Sequence, residues 1–148
     1  TEDSISYSID LQEGIDDQGN TSFGVENVNA GSGDDQLVGS LADNVLSGGS
    51  GDDTLIGGGG ADTLIGGDGN DVFTMDNTAG SVQVADFTRG ADQINLSNIS
   101  GVDEFADLAD FLLAGDGTST LTFDITEVDQ LQLIIQSEED LDASDFVF

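Results

Sequence analysis

The sequence has no cysteine, proline, histidine or tryptophan, and among its 148 residues a single cation, Arg89, stands against 31 acids. Each absence excludes something. Without cysteine there is no disulfide, which by itself leaves the compartment open. Without cysteine and histidine there is no thiol or imidazole nucleophile, no histidine general base and no usual zinc site. One cation cannot neutralise a run of phosphates, so nucleic acid is excluded as a partner. An anionic membrane surface fails on the same sign. No apolar run approaches a membrane span, so no membrane insertion is expected, and Thr1-Glu2-Asp3 opens no signal peptide. The abrupt start at Thr1 leads us to expect a piece of a longer chain.

What is present is negative charge, −30 in total at 36% hydrophobic content. Twenty-four of the acids are Asp and seven are Glu, a bias towards the shorter carboxylate. Such a balance borders on that of disordered chains. It also suits the acidic surface of a salt-adapted protein, or a fold whose missing positive charge is metal. The order of the residues decides among the three.

Residues 30–74 divide without insertion into five nonapeptides: AGSGDDQLV, GSLADNVLS, GGSGDDTLI, GGGGADTLI and GGDGNDVFT. Thirteen of the 21 glycines fall in this stretch. The sixth position reads Asp35, Asn44, Asp53, Asp62 and Asp71, and the eighth Leu37, Leu46, Leu55, Leu64 and Phe73. A Gly/Asp-rich linker explains that composition but not the unbroken register. An EF-hand fails because no segment supplies its spacing of acids with a closing Glu. Glycines allow backbone conformations closed to other residues, so their carbonyls can sit beside the short Asp carboxylate. Such hard oxygens are what Ca²⁺ prefers. The x-apolar-x tripeptide at the end of each unit reads as a short strand. Two nonapeptides then make one turn, stacking Leu37, Leu55 and Phe73 in one inner ladder and Leu46 and Leu64 in the facing one. Aligned carboxylates repel when stacked, so metal binding and folding are expected to be one event.

The pattern G-G-x-G-x-D-x-U-x, where U is a large apolar residue, resembles the calcium-binding repeats of the RTX (repeats-in-toxin) family. That resemblance implies an all-β fold, a right-handed parallel β-roll binding Ca²⁺ between stacked loops. It divides the chain into an N-terminal cap (1–29), the roll (30–74) and a C-terminal cap (75–148). Carried over from the family, one ion takes Gly31, Gly33 and Asp35 with Gly48, Ser50 and Asp53. A second takes Gly49, Gly51 and Asp53 with Gly66, Asp68 and Asp71. On the opposite edge Gly57, Gly59 and Asp62 face Ser40, Ala42 and Asn44, a weaker site because Asn44 lacks the charge. A fourth would join Gly58, Gly60 and Asp62 to the chain beyond Thr74, but Val82 stands where relatives carry an Asp. Three to four Ca²⁺ are therefore expected.

The flanks read as caps, since a solenoid must cover its ends. Ile5, Tyr7, Ile9 and Leu11 alternate as in a strand. Residues 21–29, TSFGVENVN, resemble the segment that precedes RTX repeats and fit a degenerate turn, whose Glu26 either reaches metal or is a solvated charge. The stretch Asp86-Phe87-Thr88-Arg89-Gly90-Ala91-Asp92-Gln93-Ile94-Asn95-Leu96-Ser97 is similar to the C-terminal motif of RTX modules such as those of serralysin-type proteases. Ser100 and Asp103 suggest a capping box for one short helix carrying Val102, Phe105, Leu108, Ala109 and Leu112. Two strands are expected around Leu121–Ile125 and Leu131–Ile135. The quartet Asp145-Phe146-Val147-Phe148 resembles a type I secretion signal; a buried edge strand explains it too.

The resemblance implies a non-catalytic, calcium-binding module of a larger secreted bacterial protein, folding outside the cell after passing the type I secretion machinery, and monomeric in isolation. The alternative is a polysaccharide-binding module, as in mannuronan epimerases. Against it stand the charge of −30, which repels a polyanion, and the lack of Trp to stack on sugars. No catalytic residue is assigned. Carboxylate pairs can hydrolyse glycosides, but the acids here are accounted for by loops and surface.

Overall fold

Alternating short strands and glycine corners build two mainly parallel sheets that wrap one apolar interior. The structure, a computed structural model, describes residues 27–78, 80–99, 132–137 and 141–148, and the backbone of 8–10, 15–16, 118–124 and 130–131. The strands are β1 (Ser8–Asp10), β2 (Ile15–Asp16), β3 (Asn27–Ser32), β4 (Gln36–Val38), β5 (Val45–Ser50), β6 (Thr54–Ile56), β7 (Gly60–Asp68), β8 (Val72–Thr74), β9 (Gly80–Phe87), β10 (Gln93–Asn95), β11 (Thr118–Asp124), β12 (Gln130–Ser137) and β13 (Phe146–Val147). One sheet runs β13-β10-β8-β6-β4-β1-β2 and the other β11-β12-β9-β7-β5-β3. Consecutive strands alternate between the sheets through the roll, so each nonapeptide contributes one strand to one side.

The register follows the repeat. Leu37 pairs with Leu55 and Leu55 with Phe73 in one sheet; Val28 pairs with Leu46 and Leu46 with Leu64 in the other. All five eighth-position side chains of the repeats are fully buried at 0% exposure. Burying one large apolar side chain contributes about 1.5–3 kcal/mol, so the two ladders form the spine of the core. Beyond the repeats they continue through Val84, Ile94 and Ile135, also buried.

The caps prolong the solenoid rather than merely cover it. Strand β9 stacks on β7 with Val82 opposite Asp62 and Val84 opposite Leu64. Strand β10 stacks on β8 with Ile94 opposite Phe73, so Asp92-Gln93-Ile94-Asn95 repeats the D-x-U-x of the nonapeptides. Strand β12 adds to β9 in parallel, and β11 closes back on it as an antiparallel hairpin partner. Within the terminal quartet Phe146–Val147 forms β13, parallel to β10, with Phe146 buried opposite Ile94. It is reached through a single 3₁₀ turn, Ala143–Asp145, closed by a capping box between Asp142 and Asp145. The expected helix around Val102–Leu112 and the degenerate-turn residues 21–26, including Glu26, lie outside the described residues. Among the described residues no helix is long and apolar enough to cross a membrane.

Candidate metal centre

Asp53, Asp62 and Asp71 sit at the corners where glycine loops enter strands, and each reaches back one turn. Asp53 Oδ1 accepts from the Asp35 N–H at 2.7 Å, Asp62 Oδ1 from the Asn44 N–H at 2.9 Å, and Asp71 Oδ1 from the Asp53 N–H at 2.9 Å. The second oxygen of Asp53, Asp62 and Asp71 is buried and has no hydrogen-bond partner. Burying an unsatisfied carboxylate oxygen is costly, so these three, two on one edge and one on the other, call for a counter-charge. These oxygens lie over the first-position glycines Gly48, Gly57 and Gly66. A Cβ placed on any of them would strike the oxygen, at 2.7 Å in the case of Gly57. The missing side chains thus open a cradle beside each bare oxygen.

The second and fourth positions supply the curvature. Gly31, Gly33, Gly49, Gly51, Gly58, Gly60, Gly67 and Gly69 all have φ between 89° and 149°, a region that L side chains rarely enter. Loops on one edge then stack directly. Gly31 pairs with Gly49 and Ser32 with Ser50; Gly49 pairs with Gly67 and Ser50 with Asp68. The Gly33 N–H donates to the Ser50 carbonyl at 2.7 Å and the Gly51 N–H to the Asp68 carbonyl at 2.9 Å, leaving each of these carbonyls a lone pair. Gly31, Gly33, Asp35, Gly48, Ser50 and Asp53 therefore share one loop-to-loop step. Gly49, Gly51, Asp53, Gly66, Asp68 and Asp71 share the next. Among the described residues no cluster of three or more acids converges on one point. The donor set is carboxylate plus backbone carbonyl, the hard oxygen chemistry that suits Ca²⁺.

The opposite edge is built differently. Ser40 and Ala42 occupy positions where other loops have glycine, and among the described residues no non-glycine has positive φ. The Asn44 side chain folds onto its own loop, where Oδ1 accepts from the Ser40 N–H at 2.7 Å, and its Nδ2 is buried with no partner. The Gly59 N–H donates to the Ser40 carbonyl at 3.0 Å. So Gly57, Gly59 and Asp62 do face Ser40, Ala42 and Asn44, but the side-chain oxygen of Asn44 is already engaged. On the far side Gly60 pairs with Gly80 and Asp62 with Val82, which is buried at 3% exposure and brings no oxygen from its side chain.

Two acids that sequence reasoning left outside the site belong to the same stack. Asp92 Oδ1 accepts from the Asp71 N–H at 3.0 Å, continuing the Asp35–Asp53–Asp71 column. Asp86 holds the last glycine loop from above, its two oxygens accepting from Gly66 and Gly67, each at 2.9 Å. The signal was the frame 87–95, with Gly90 fourth, Asp92 sixth and Ile94 eighth. It was hidden because the step from Asp71 to Asp92 is 21 residues instead of 18.

Electrostatics agree with a site built for a cation. Burial pushes the Asp62 and Asp71 carboxyls up to about 6, against the opposing pull of the backbone N–H groups of Asn44 and Asp53; neighbouring acids add to the rise. Asp53 and Asp92 are raised as well, again chiefly by burial. Low-dielectric carboxylates of this kind gain most from positive charge placed against them.

Stacked glycine loops on two parallel sheets, with buried carboxylates at their corners, define a β-roll of the calcium-binding kind. Residues 21–55 and 38–73 match the family model of the RTX calcium-binding nonapeptide repeat, in 4 copies. The chain thus carries RTX calcium-binding repeats, and the matched stretch begins in the segment read as a degenerate turn. Among solved structures it is similar to the AlgE6R3 subunit of the mannuronan C5-epimerase of Azotobacter vinelandii, at 22% identity and a TM-score of 0.52 over 86% of each chain. That likeness is one of fold. No curated protein sequence matches.

Proposed function

We propose that this chain is a non-catalytic module whose roll folds on binding Ca²⁺ and so matures outside the cell as part of a larger secreted bacterial protein. The observation that carries the reading is the set of bare, buried oxygens on Asp53, Asp62 and Asp71, each beside a glycine cradle. Gly31, Gly33, Asp35, Gly48, Ser50 and Asp53 would hold one ion, and Gly49, Gly51, Asp53, Gly66, Asp68 and Asp71 a second. Gly57, Gly59 and Asp62 with Ser40, Ala42 and Asn44, and Gly58, Gly60 and Asp62 with the turn above, offer poorer partners. We place the two principal ions on the Asp35–Asp53–Asp71 edge, fewer than the three to four the repeat count suggested. Bound calcium supplies the positive charge that lets the loops stack. The residues do the rest: glycines permit the close approach, Asp side chains tie each turn to the one before, and the leucine ladder buries the apolar area.

Export through the type I machinery fits a chain without disulfides or prolines, because neither oxidation nor proline isomerisation delays folding afterwards. In the folded chain the middle of the terminal quartet is β13, so recognition of the quartet by the exporter would precede closure of the roll. Extracellular calcium modules bind at about 10⁻⁴–10⁻³ M, matching a switch that stays open where free calcium is scarce. A polysaccharide partner is the second reading, favoured only by the fold it shares with an epimerase subunit. Calorimetry with alginate in calcium separates the two. The primary test is far-ultraviolet circular dichroism of metal-stripped protein before and after millimolar Ca²⁺. Coil converting to β supports the proposal; a full β spectrum without calcium, unchanged by adding it, refutes it.

A further inference from the structure

The column of loops on the Asp35–Asp53–Asp71 edge does not end at the last glycine loop. Loop 87–92 stacks on it, yet this loop is closed from within. The Thr88 N–H donates to Asp92 Oδ2 at 2.7 Å, while the Thr88 carbonyl accepts from Asp92 and Ala91 at 2.9 and 3.2 Å. Both Asp92 oxygens are therefore engaged, one by the turn below and one by its own loop. Unlike Asp53 and Asp71, Asp92 has no bare oxygen to offer a metal.

The next step up joins loop 87–92 to the turn 142–145, and there the chain's only cation appears. The Arg89 guanidinium contacts the Asp142 carboxylate and lies 3.6 Å, through Nε, from Asp145 Oδ2. Asp145 is 1% exposed, and its Oδ2 also accepts from the Asp142 N–H at 2.7 Å. Arg89 holds the third place in the frame 87–95, on the loop side of the stack. Across this step β13 pairs with β10, and the Leu96 N–H donates to the Val147 carbonyl at 2.7 Å.

We propose that Arg89 is the roll's built-in terminal cation: it binds Asp142 and Asp145 across the last loop-to-loop step, docking β13 by an ion pair where the steps below use Ca²⁺. The comparison with the lower steps rests on the proposed calcium function; the docking role of Arg89 does not. A lone arginine in a chain of charge −30 could pair with acids anywhere on the surface. It is instead placed against a buried carboxylate at the position where the column would otherwise leave negative charge uncompensated.

The test is amide hydrogen exchange on calcium-saturated protein, read at Leu96, with bound calcium counted in parallel by calorimetry. Arg89→Gln is expected to lower Leu96 protection about tenfold or more, to leave the Asp53 and Thr54 amides unchanged, and to keep the calcium count of the parent. Arg89→Lys, which keeps the charge, is expected to retain most Leu96 protection. Unchanged Leu96 protection in Arg89→Gln overturns the proposal, as does loss of a calcium ion in that variant. If Arg89→Gln loses protection everywhere, Arg89→Lys decides: retained Leu96 protection supports the proposal, and its loss overturns it. A parent that binds no calcium refutes the calcium reading instead, and leaves the Leu96 comparison to judge Arg89 separately.

Discussion

Protons should partly stand in for calcium. Metal-stripped protein taken from pH 7 to pH 5 stays above its isoelectric point of about 4.1 and keeps net negative charge. Across that range the two most perturbed carboxylates change state. Asp62 and Asp71 titrate near 6 in the folded roll, against 3.8 for the unperturbed group. A folded-state value raised in this way means that the roll holds protons more tightly than the unfolded chain. The stabilisation by those protons is complete below about 4 and is lost as pH rises through 6, so the metal-free roll is least favoured at neutral pH. Each rise of about two units corresponds to about 3 kcal/mol at 1.36 kcal/mol per unit. Solvent screening at the thin glycine loops removes roughly half of that. The pair then offers about 3 kcal/mol in all, and somewhat under half of it should be gained by pH 5. A ligand at one hundred times its dissociation constant gives a comparable 2.7 kcal/mol per site. Circular dichroism of stripped protein should therefore show β signal growing from pH 7 to pH 5 and disappearing on return. The Asp62→Asn, Asp71→Asn double variant should lose most of that pH dependence. A β signal flat or falling with acid, or an undiminished response in the double variant, would refute the reasoning.

Protons and calcium favour the same folded roll, so the calcium concentration at half-folding should fall as pH drops from 7 to 5, measured by the same signal. Gly51→Ala forces a side chain into φ 131° and brings its Cβ to 2.5 Å from the Gly33 carbonyl carbon; strain of about 1–3 kcal/mol should raise the calcium requirement severalfold in a dichroism titration. Asn44→Ala removes the acceptor for the Ser40 N–H and should cost about 1–2 kcal/mol in thermal melts of calcium-loaded protein without changing the calorimetric calcium count. Asp53→Ala, at the same repeat position, should lower that count.

The apolar ladders were legible in the sequence because a period of nine with one inward residue admits a single stacking. Leu37–Leu55–Phe73 and Leu46–Leu64 pair as the repeat requires. The continuation through Asp92 and Ile94 was not, because extra residues between Thr74 and Asp92 break the frame while the backbone restores it. The sequence shows Val82 only as a missing acid; its inward burial opposite Asp62 follows from the register of β9 on β7. At Asn44 the sequence shows a neutral oxygen in place of a charge; that this oxygen turns onto Ser40 follows from a loop without the glycines that give the others positive φ. The pairing of Arg89 with Asp142 joins residues 53 apart through a turn that no repeat encodes.

That folding and metal binding are one event is tested most directly by small-angle scattering of the same sample in chelator and in millimolar Ca²⁺ at pH 7. For 148 residues the expected radius of gyration is about 40 Å without metal and about 15 Å for a compact fold, slightly more for an elongated roll. Collapse on adding calcium, reversed by chelator, is the expected result. A compact radius in chelator that calcium leaves unchanged would contradict it.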